Sequence, residues 1–148
     1  MKTVRMLLRA KGNRVLTITP DAPVFAALQL MAEENVGALL VLEGPRLVGI
    51  FSERDYARKI ILKGKTSKDT PVSEIMTAQV VHVGPDQTIE DCMGLMTDKH
   101  IRHLPVLEQG ALLGVISIGD VVRDIISEQG FVIEQLQAYI NGGPQPVL

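Results

Sequence analysis

Tryptophan is absent, and three Phe and two Tyr make up the whole aromatic content of the 148 residues. With so few flat side chains, no base-stacking platform for single-stranded nucleic acid is expected. Formal charge is nearly balanced at −2, so no broad field draws DNA, RNA or anionic lipid. The lone cysteine, Cys92, excludes an internal disulfide and suits a reducing cytoplasm. No apolar run approaches the roughly 18–20 residues of a membrane span. His82, His100 and His103, with Cys92, match no ordinary zinc spacing, and no metal is expected. What remains is aliphatic. Hydrophobic residues reach 46% with only 3% aromatic, which implies an ordered α/β domain with a core of Val, Ile, Leu, Met and Ala.

The chain repeats itself at an offset of 65 residues without a gap. Pro20-Asp21 falls on Pro85-Asp86, Met31 on Met96, Gly49 on Gly114, Ser52 on Ser117, Asp55 on Asp120 and Arg58 on Arg123. A repeat of this kind decides the architecture before any local motif is read. Each copy is too small to bury much surface alone, so the two should be interdependent. The organisation expected is a first repeat with its lead-in over 1–65, a second over 66–129, and a C-terminal amphipathic helix and tail over 130–148.

Within repeat one, Val15 to Thr19 predicts a short strand. Asp21 is then a candidate helix cap, with Pro23 in the first turn. Val24, Ala27, Leu28 and Met31 share one helical face, and Ile89, Cys92, Met93 and Met96 duplicate it. Ala38 to Leu42 and Leu47 to Phe51 read as strands joined by a tight turn, hence an antiparallel hairpin. A helix from Ser52 towards Leu62 completes a β-α-β-β-α unit. Lys59, Lys63, Lys65 and Lys68 could approach a phosphate, but a solvated loop is the reading preferred. Lys2, Arg5, Arg9, Lys11 and Arg14 precede the first acid, as in a transit segment. Because Val4–Leu7 resembles Val72–Ile75, however, this stretch is read as the lead-in of repeat one. After Gly130 a last amphipathic stretch holds Val132, Leu136, Tyr139 and Ile140, with Gly142-Gly143-Pro144 as its stop.

The strongest local signal is a pair of motifs, Gly49-Ile50-Phe51-Ser52-Glu53-Arg54-Asp55 and Gly114-Val115-Ile116-Ser117-Ile118-Gly119-Asp120. Each runs across a strand-to-helix junction. Glycine lets another backbone or a flat ligand come close. A hydroxyl beside free helix N–H groups suits an anion, and a carboxylate three residues on can accept both hydroxyls of a ribose. The same Ser-x-x-Asp is also a capping box, and the two roles are compatible.

With both motifs, Ile101-Arg102-His103-Leu104-Pro105-Val106 and the Val72-x-x-Ile75-Met76-Thr77 lead-in, the chain resembles a tandem pair of CBS (cystathionine-β-synthase-type) domains, a Bateman module, over nearly all of residues 4–126. The resemblance implies two β-α-β-β-α units related by a pseudo-twofold axis, sheets packed together, with two clefts for adenosine compounds. It implies regulation rather than catalysis, and pairing into a homodimer. Asp55 and Asp120 would hold ribose, and Ser52 and Ser117 phosphate. Ala38, Ile50, Glu53, Arg54, Val115, Ile118 and Gly119 would line the clefts. Thr17, Ile18 and Thr19 would border adenine, as would His82, Val83 and Gly84 in the second copy. Arg102 and His103 would reach phosphate, beside Pro105. Repeat one has Gly37-Ala38-Leu39-Leu40 in place of Arg102-His103-Leu104-Pro105, so unequal affinities are expected.

The function expected is a stand-alone regulatory module that senses AMP, ADP or ATP and acts through an unknown protein target. NAD(H) recognition is one alternative. A constitutive scaffold with vestigial clefts is another.

Overall fold

Two aliphatic cores organise the chain, one per repeat, and the computed structural model describes them over residues 2–12 and 14–140. In sequence order the elements are α1 (Val4–Lys11), β1 (Thr17–Ile18), α2 (Val24–Glu34), β2 (Ala38–Glu43), β3 (Arg46–Ser52) and α3 (Glu53–Tyr56). α3 continues as a π-helical turn, Ala57–Ile61. Then come α4 (Val72–Ile75), α5 (Ile89–Lys99), β4 (His103–Glu108), β5 (Ala111–Ser117) and α6 (Ile118–Ile140). The result is a mixed α/β fold of two small sheets with helices, the architecture the repeat predicts.

The duplication reaches fine detail. Val24, Ala27 and Met31 of α2 are buried, as are Ile89, Cys92 and Met96 of α5. Fully burying a side chain of this size contributes roughly 1.5–3 kcal/mol. α2 ends at Asn35 and α5 at His100, both left-handed at φ 54°. β2 pairs antiparallel with β3, and β4 with β5, each pair with an irregularity at the same place (Val41/Leu42 and Val106/Leu107). The hairpin turns differ, Gly44-Pro45 against Gln109-Gly110: the first position is left-handed in both (φ 61° and 51°), the second only at Gly110 (φ 79°).

The lead-ins distribute themselves unexpectedly. α1 precedes repeat one but packs Val4, Leu7 and Leu8 into the second core. Val4 N–H donates to Gln87 and Ile89 N–H to Lys2, while Lys2 Nζ lies 2.6 Å from Asp124 of α6. α4, between the repeats, packs Val72 and Ile75 into the first core. Thus the N-terminal segment crosses to the far copy and ties the halves together. The reason is steric and polar at once. Each lead-in sits over the motif glycine of the copy it serves, and its backbone completes the bonding at that copy's first helix.

Four local expectations need correction. Asp21 does not cap α2. Pro23 is the N-cap, and the first helical N–H groups are satisfied by Thr70 and Ser67 carbonyls from the α4 approach. β1 shrinks to two residues, and its counterpart in repeat two is a single parallel bridge, Val83 to Val106. Gly130 does not divide the C-terminal region, because α6 runs unbroken through it from Ile118 to Ile140. A glycine there costs about 1 kcal/mol, which helix-forming neighbours on both sides tolerate. Gly142-Gly143-Pro144 and the Tyr139 side chain lie outside what is described.

A Cβ added at Gly49 would stand 2.5 Å from Met76 Sδ and 3.1 Å from the Thr77 carbonyl oxygen, whereas one at Gly94 on α5 would meet nothing within 4 Å. Gly49→Ala should therefore destabilise by about 1–3 kcal/mol, lowering the thermal midpoint by several degrees. Gly94→Ala should raise it by roughly 2–4 °C, the return of up to about 1 kcal/mol of helix propensity. Calorimetric melting of both variants checks the pair of signs.

Candidate functional site

The two Ser-x-x-Asp junctions carry the chemistry, and both fold as caps. At β3–α3, Asp55 N–H donates to Ser52 Oγ at 3.2 Å, and Ser52 N–H returns a bond to Asp55 Oδ2 at 3.0 Å. At β5–α6, Asp120 N–H donates to Ser117 Oγ at 3.2 Å and Ser117 N–H to Asp120 Oδ2 at 2.8 Å. Both carboxylates are buried, at 7% and 8% exposure. A buried carboxylate needs partners for its remaining lone pairs, and here the copies part. Asp55 Oδ1 accepts from Thr77 Oγ1 at 3.2 Å and faces Lys59 Nζ at 3.1 Å. Asp120 is held by Lys11 Nζ on Oδ2 at 2.6 Å and by Arg123 on Oδ1 at 2.8 Å.

Asp55 opens onto a cleft of ≈ 1010 Å³ between the copies. One wall comes from repeat one: Ile50, Ser52, Glu53, Arg54, Arg58 and Lys59. The floor is the connecting segment, with Thr77, Gln79, Val80 and Val81. The far wall comes from repeat two: Met96, Thr97, His100, Ile101, Arg102, His103 and Ile118. Arg54 spans the seam and donates to the His100 carbonyl. Four cations (Arg54, Arg58, Lys59, Arg102) outnumber the two carboxylates Glu53 and Asp55. Such a cleft can accept hydrogen bonds from a diol at Asp55, place an apolar ring against Val80, Val81 and Ile101, and neutralise an anionic group.

Of the residues singled out from the sequence, Ile50, Ser52, Glu53, Arg54, Asp55, Arg102, His103 and Ile118 meet in this one cleft. Arg102 and His103 thus line the cleft onto which Asp55 opens, and His103 also lies within reach of the Lys11 and Asp120 charges. Thr17, Ile18 and Thr19 lie on and beside the edge strand β1. Ala38 pairs with Ser52 in the ladder, and Pro105 is buried where its carbonyl accepts Val83 N–H. His82 is exposed with its ring beside the Val80 carbonyl. None of these six lines the cleft, nor do Val83, Gly84, Val115, Ser117, Gly119 or Asp120.

Lys59 corrects the expectation that the lysines after α3 are merely solvated. Its ammonium sits on Asp55 and donates to the Ile75 carbonyl at 3.0 Å. Its spacing of four from Asp55 was the available signal. Lys65 and Lys68 turn elsewhere, to Glu74 and over the Phe25 ring. Gln79, Val80 and Val81 escape sequence reading because they form no periodic element, and Thr77 stands out there only as the end of the lead-in motif.

Electrostatics separate the halves further. Burial raises the Asp120 carboxyl, but hydrogen bonds from Lys11 and Ser117 and the Lys11 charge outweigh it, leaving the group below the usual carboxylate range. Burial, then Lys11 and Arg102, lower His103 against the opposing pull of Asp120 and Glu53. Burial pushes the Cys92 thiol up to about 11, aided by Asp91 and Glu90, which makes it an inert core group. No three His, Cys, Asp or Glu among the described residues form a metal cluster, and no described helix is long and apolar enough to cross a membrane.

Comparison with known proteins agrees on one description. The family model "CBS domain" matches residues 12–62 and 72–127. CBS domain-containing protein CBSX3, mitochondrial, of Arabidopsis thaliana is 41% identical over 95% of this chain and 73% of its own length. A CBS-domain protein of Burkholderia ambifaria MC40-6, described as a candidate for signal transduction, is 49% identical with a TM-score of 0.84, covering 86% of this chain and 96% of that one. The CBS domain pair of protein MJ0100, solved with 5′-methylthioadenosine and S-adenosyl-L-methionine, is 20% identical with a TM-score of 0.76 over 86% of this chain and 98% of that one. At that identity it shares the fold alone.

The depressed Asp120 group gives a pH signature. Its folded value lies below its unfolded one, so its stabilisation is complete above the ordinary carboxylate range and is lost as pH falls through the folded value. Lys11→Gln should move the Asp120 carboxyl upward and shift that loss to higher pH. Carboxyl-carbon NMR titration of the two proteins measures it.

Proposed function

The chain belongs to the CBS-domain family, and from that premise we propose that it is a regulatory module binding an adenine nucleotide (AMP, ADP or ATP) in the Asp55 cleft. The observation that carries this reading is the composition of that single cleft. A buried carboxylate and a serine stand at a helix start, faced by cations drawn from both repeats. Asp55 accepts the ribose hydroxyls. Arg54, Arg58, Lys59 and Arg102 balance phosphate charge, and Val80, Val81 and Ile101 flank the base. The adenosine ligands of the MJ0100 pair support the ligand class.

Because the cleft walls come from both copies, a ligand that prefers one mutual arrangement shifts the population towards it. The output is therefore conformational and passes through a protein target in the cytoplasm, with no bond made or broken. We propose also that the chain acts as a homodimer. Ile126, Ile133, Leu136 and Ile140 stand exposed along α6 and would be covered by a second copy.

Thermal unfolding with AMP, ADP, ATP, NAD, NADH and S-adenosylmethionine tests the ligand class. An adenine nucleotide at 100 times its dissociation constant should add about 2.7 kcal/mol, several degrees at the midpoint. Asp55→Ala should lose that shift while costing roughly 1–3 kcal/mol for its cap and its bonds to Lys59 and Thr77. Equal shifts in both proteins would refute the ribose assignment, and no shift with any compound at millimolar concentration would favour a scaffold.

A further inference from the structure

The pseudo-symmetry fails at one place that governs ligand access. Leu8 lies against Gly114 as Met76 lies against Gly49, so the residue three further on is Lys11 in one copy and Gln79 in the other. In the first copy α4 ends at Ile75. Thr77 then exchanges backbone bonds with Ile50, at 2.9 and 3.0 Å, and its hydroxyl reaches Asp55. In the second copy α1 continues to Lys11, and one ammonium takes both acceptors. It donates to the carbonyl of Val115, the counterpart of Ile50, at 2.7 Å, and to Asp120 Oδ2 at 2.6 Å. Arg123 closes the other oxygen, its guanidinium lying in the space that Gly119 leaves free.

We propose that Lys11 is a tethered cation seated on Asp120 where a ligand's sugar would otherwise bind, so that one anionic nucleotide binds per chain, at Asp55. This rests on the nucleotide reading of the Asp55 cleft. Ribose hydroxyls are neutral donors, whereas Lys11 and Arg123 each bring a full opposite charge to the buried carboxylate as well as a hydrogen bond. A sugar therefore cannot displace Lys11 and Arg123 together on equal terms. Lys59 at Asp55 differs. It comes from the next turn of the same helix and itself walls the cleft, so an incoming phosphate can recruit it. Lys11 arrives from 109 residues away, on a helix locked into the second core. Lys11 thus determines stoichiometry and makes the two duplicated sites unequal.

Calorimetric titration with ATP decides the matter, using the full chain and Lys11→Gln, which installs the residue found at the equivalent place of the open site. Lys11→Met, which keeps the length of the stem, is the second variant, and circular dichroism with a melting curve verifies that each folds. The parent protein and Lys11→Arg should bind one ATP per chain, and Lys11→Gln and Lys11→Met two. Asp55→Ala combined with Lys11→Gln should bind one. Two per chain in the parent overturns the proposal, as does one per chain in both folded neutral variants, which leaves the Asp55 reading intact. None in the parent but one in the variants would sink that reading and uphold the role of Lys11. No binding to any protein would overturn both.

Discussion

The close approach of a lead-in segment to a strand glycine is the contact on which everything else depends. At Gly49 and at Gly114 a side chain from α4 or α1 occupies the space a Cβ would take. That approach sets the lead-in against β3 or β5, one step from the helix that carries the buried aspartate. It therefore fixes which group reaches the carboxylate. It also explains the interdependence of the halves, because α1 belongs by sequence to one repeat and by packing to the other. Neither core is complete within its own 65 residues, so the small size of the repeats is offset by exchange.

From that contact the asymmetry follows without any change of fold. The two copies share irregularities in register and left-handed helix ends. They differ in how far the lead-in helix runs. A helix of four residues releases its chain into a bridge that leaves Asp55 lining the cleft beside Lys59, whereas one of eight delivers the ammonium of Lys11 to Asp120. Duplication supplies two equal frames, and a few side chains at one edge make them unequal. His103 stands where the halves meet, feeling Lys11 and Asp120 from one side and Glu53 from the other. A charge arriving in the open cleft therefore acts on a group that also senses the closed one.

Much of this was legible in the residues themselves. The offset of 65, the helical faces of α2 and α5, the hairpins and the Ser-x-x-Asp caps all rest on local periodicity or short-range bonding, which sequence exposes directly. What escaped depends on contacts between distant segments. Asp21 looks like a cap, but the carbonyls of Ser67 and Thr70 do its work. The β1 counterpart in repeat two looks like a strand, yet it finds one bridge. Arg102 and His103 resemble phosphate ligands, but nothing in their spacing says that they line the cleft onto which Asp55 opens. Lys11 looked like one basic residue among several in a lead-in.

The last step concerns why a buried aspartate should be retained in a site that is held shut. Removing Asp120 would strand Lys11 against the Val115 carbonyl alone and leave Ser117 N–H without its acceptor. Breaking one partner of a buried charge pair costs several kcal/mol. The carboxylate is thus structurally necessary in both copies, as cap and as counter-ion, whether or not a ligand ever reaches it. The fold alone thus gives the motif a use in each copy, as cap and as counter-ion. In this chain Ser-x-x-Asp therefore marks a strand-to-helix junction first. What lies opposite the carboxylate decides whether that junction is also a binding site.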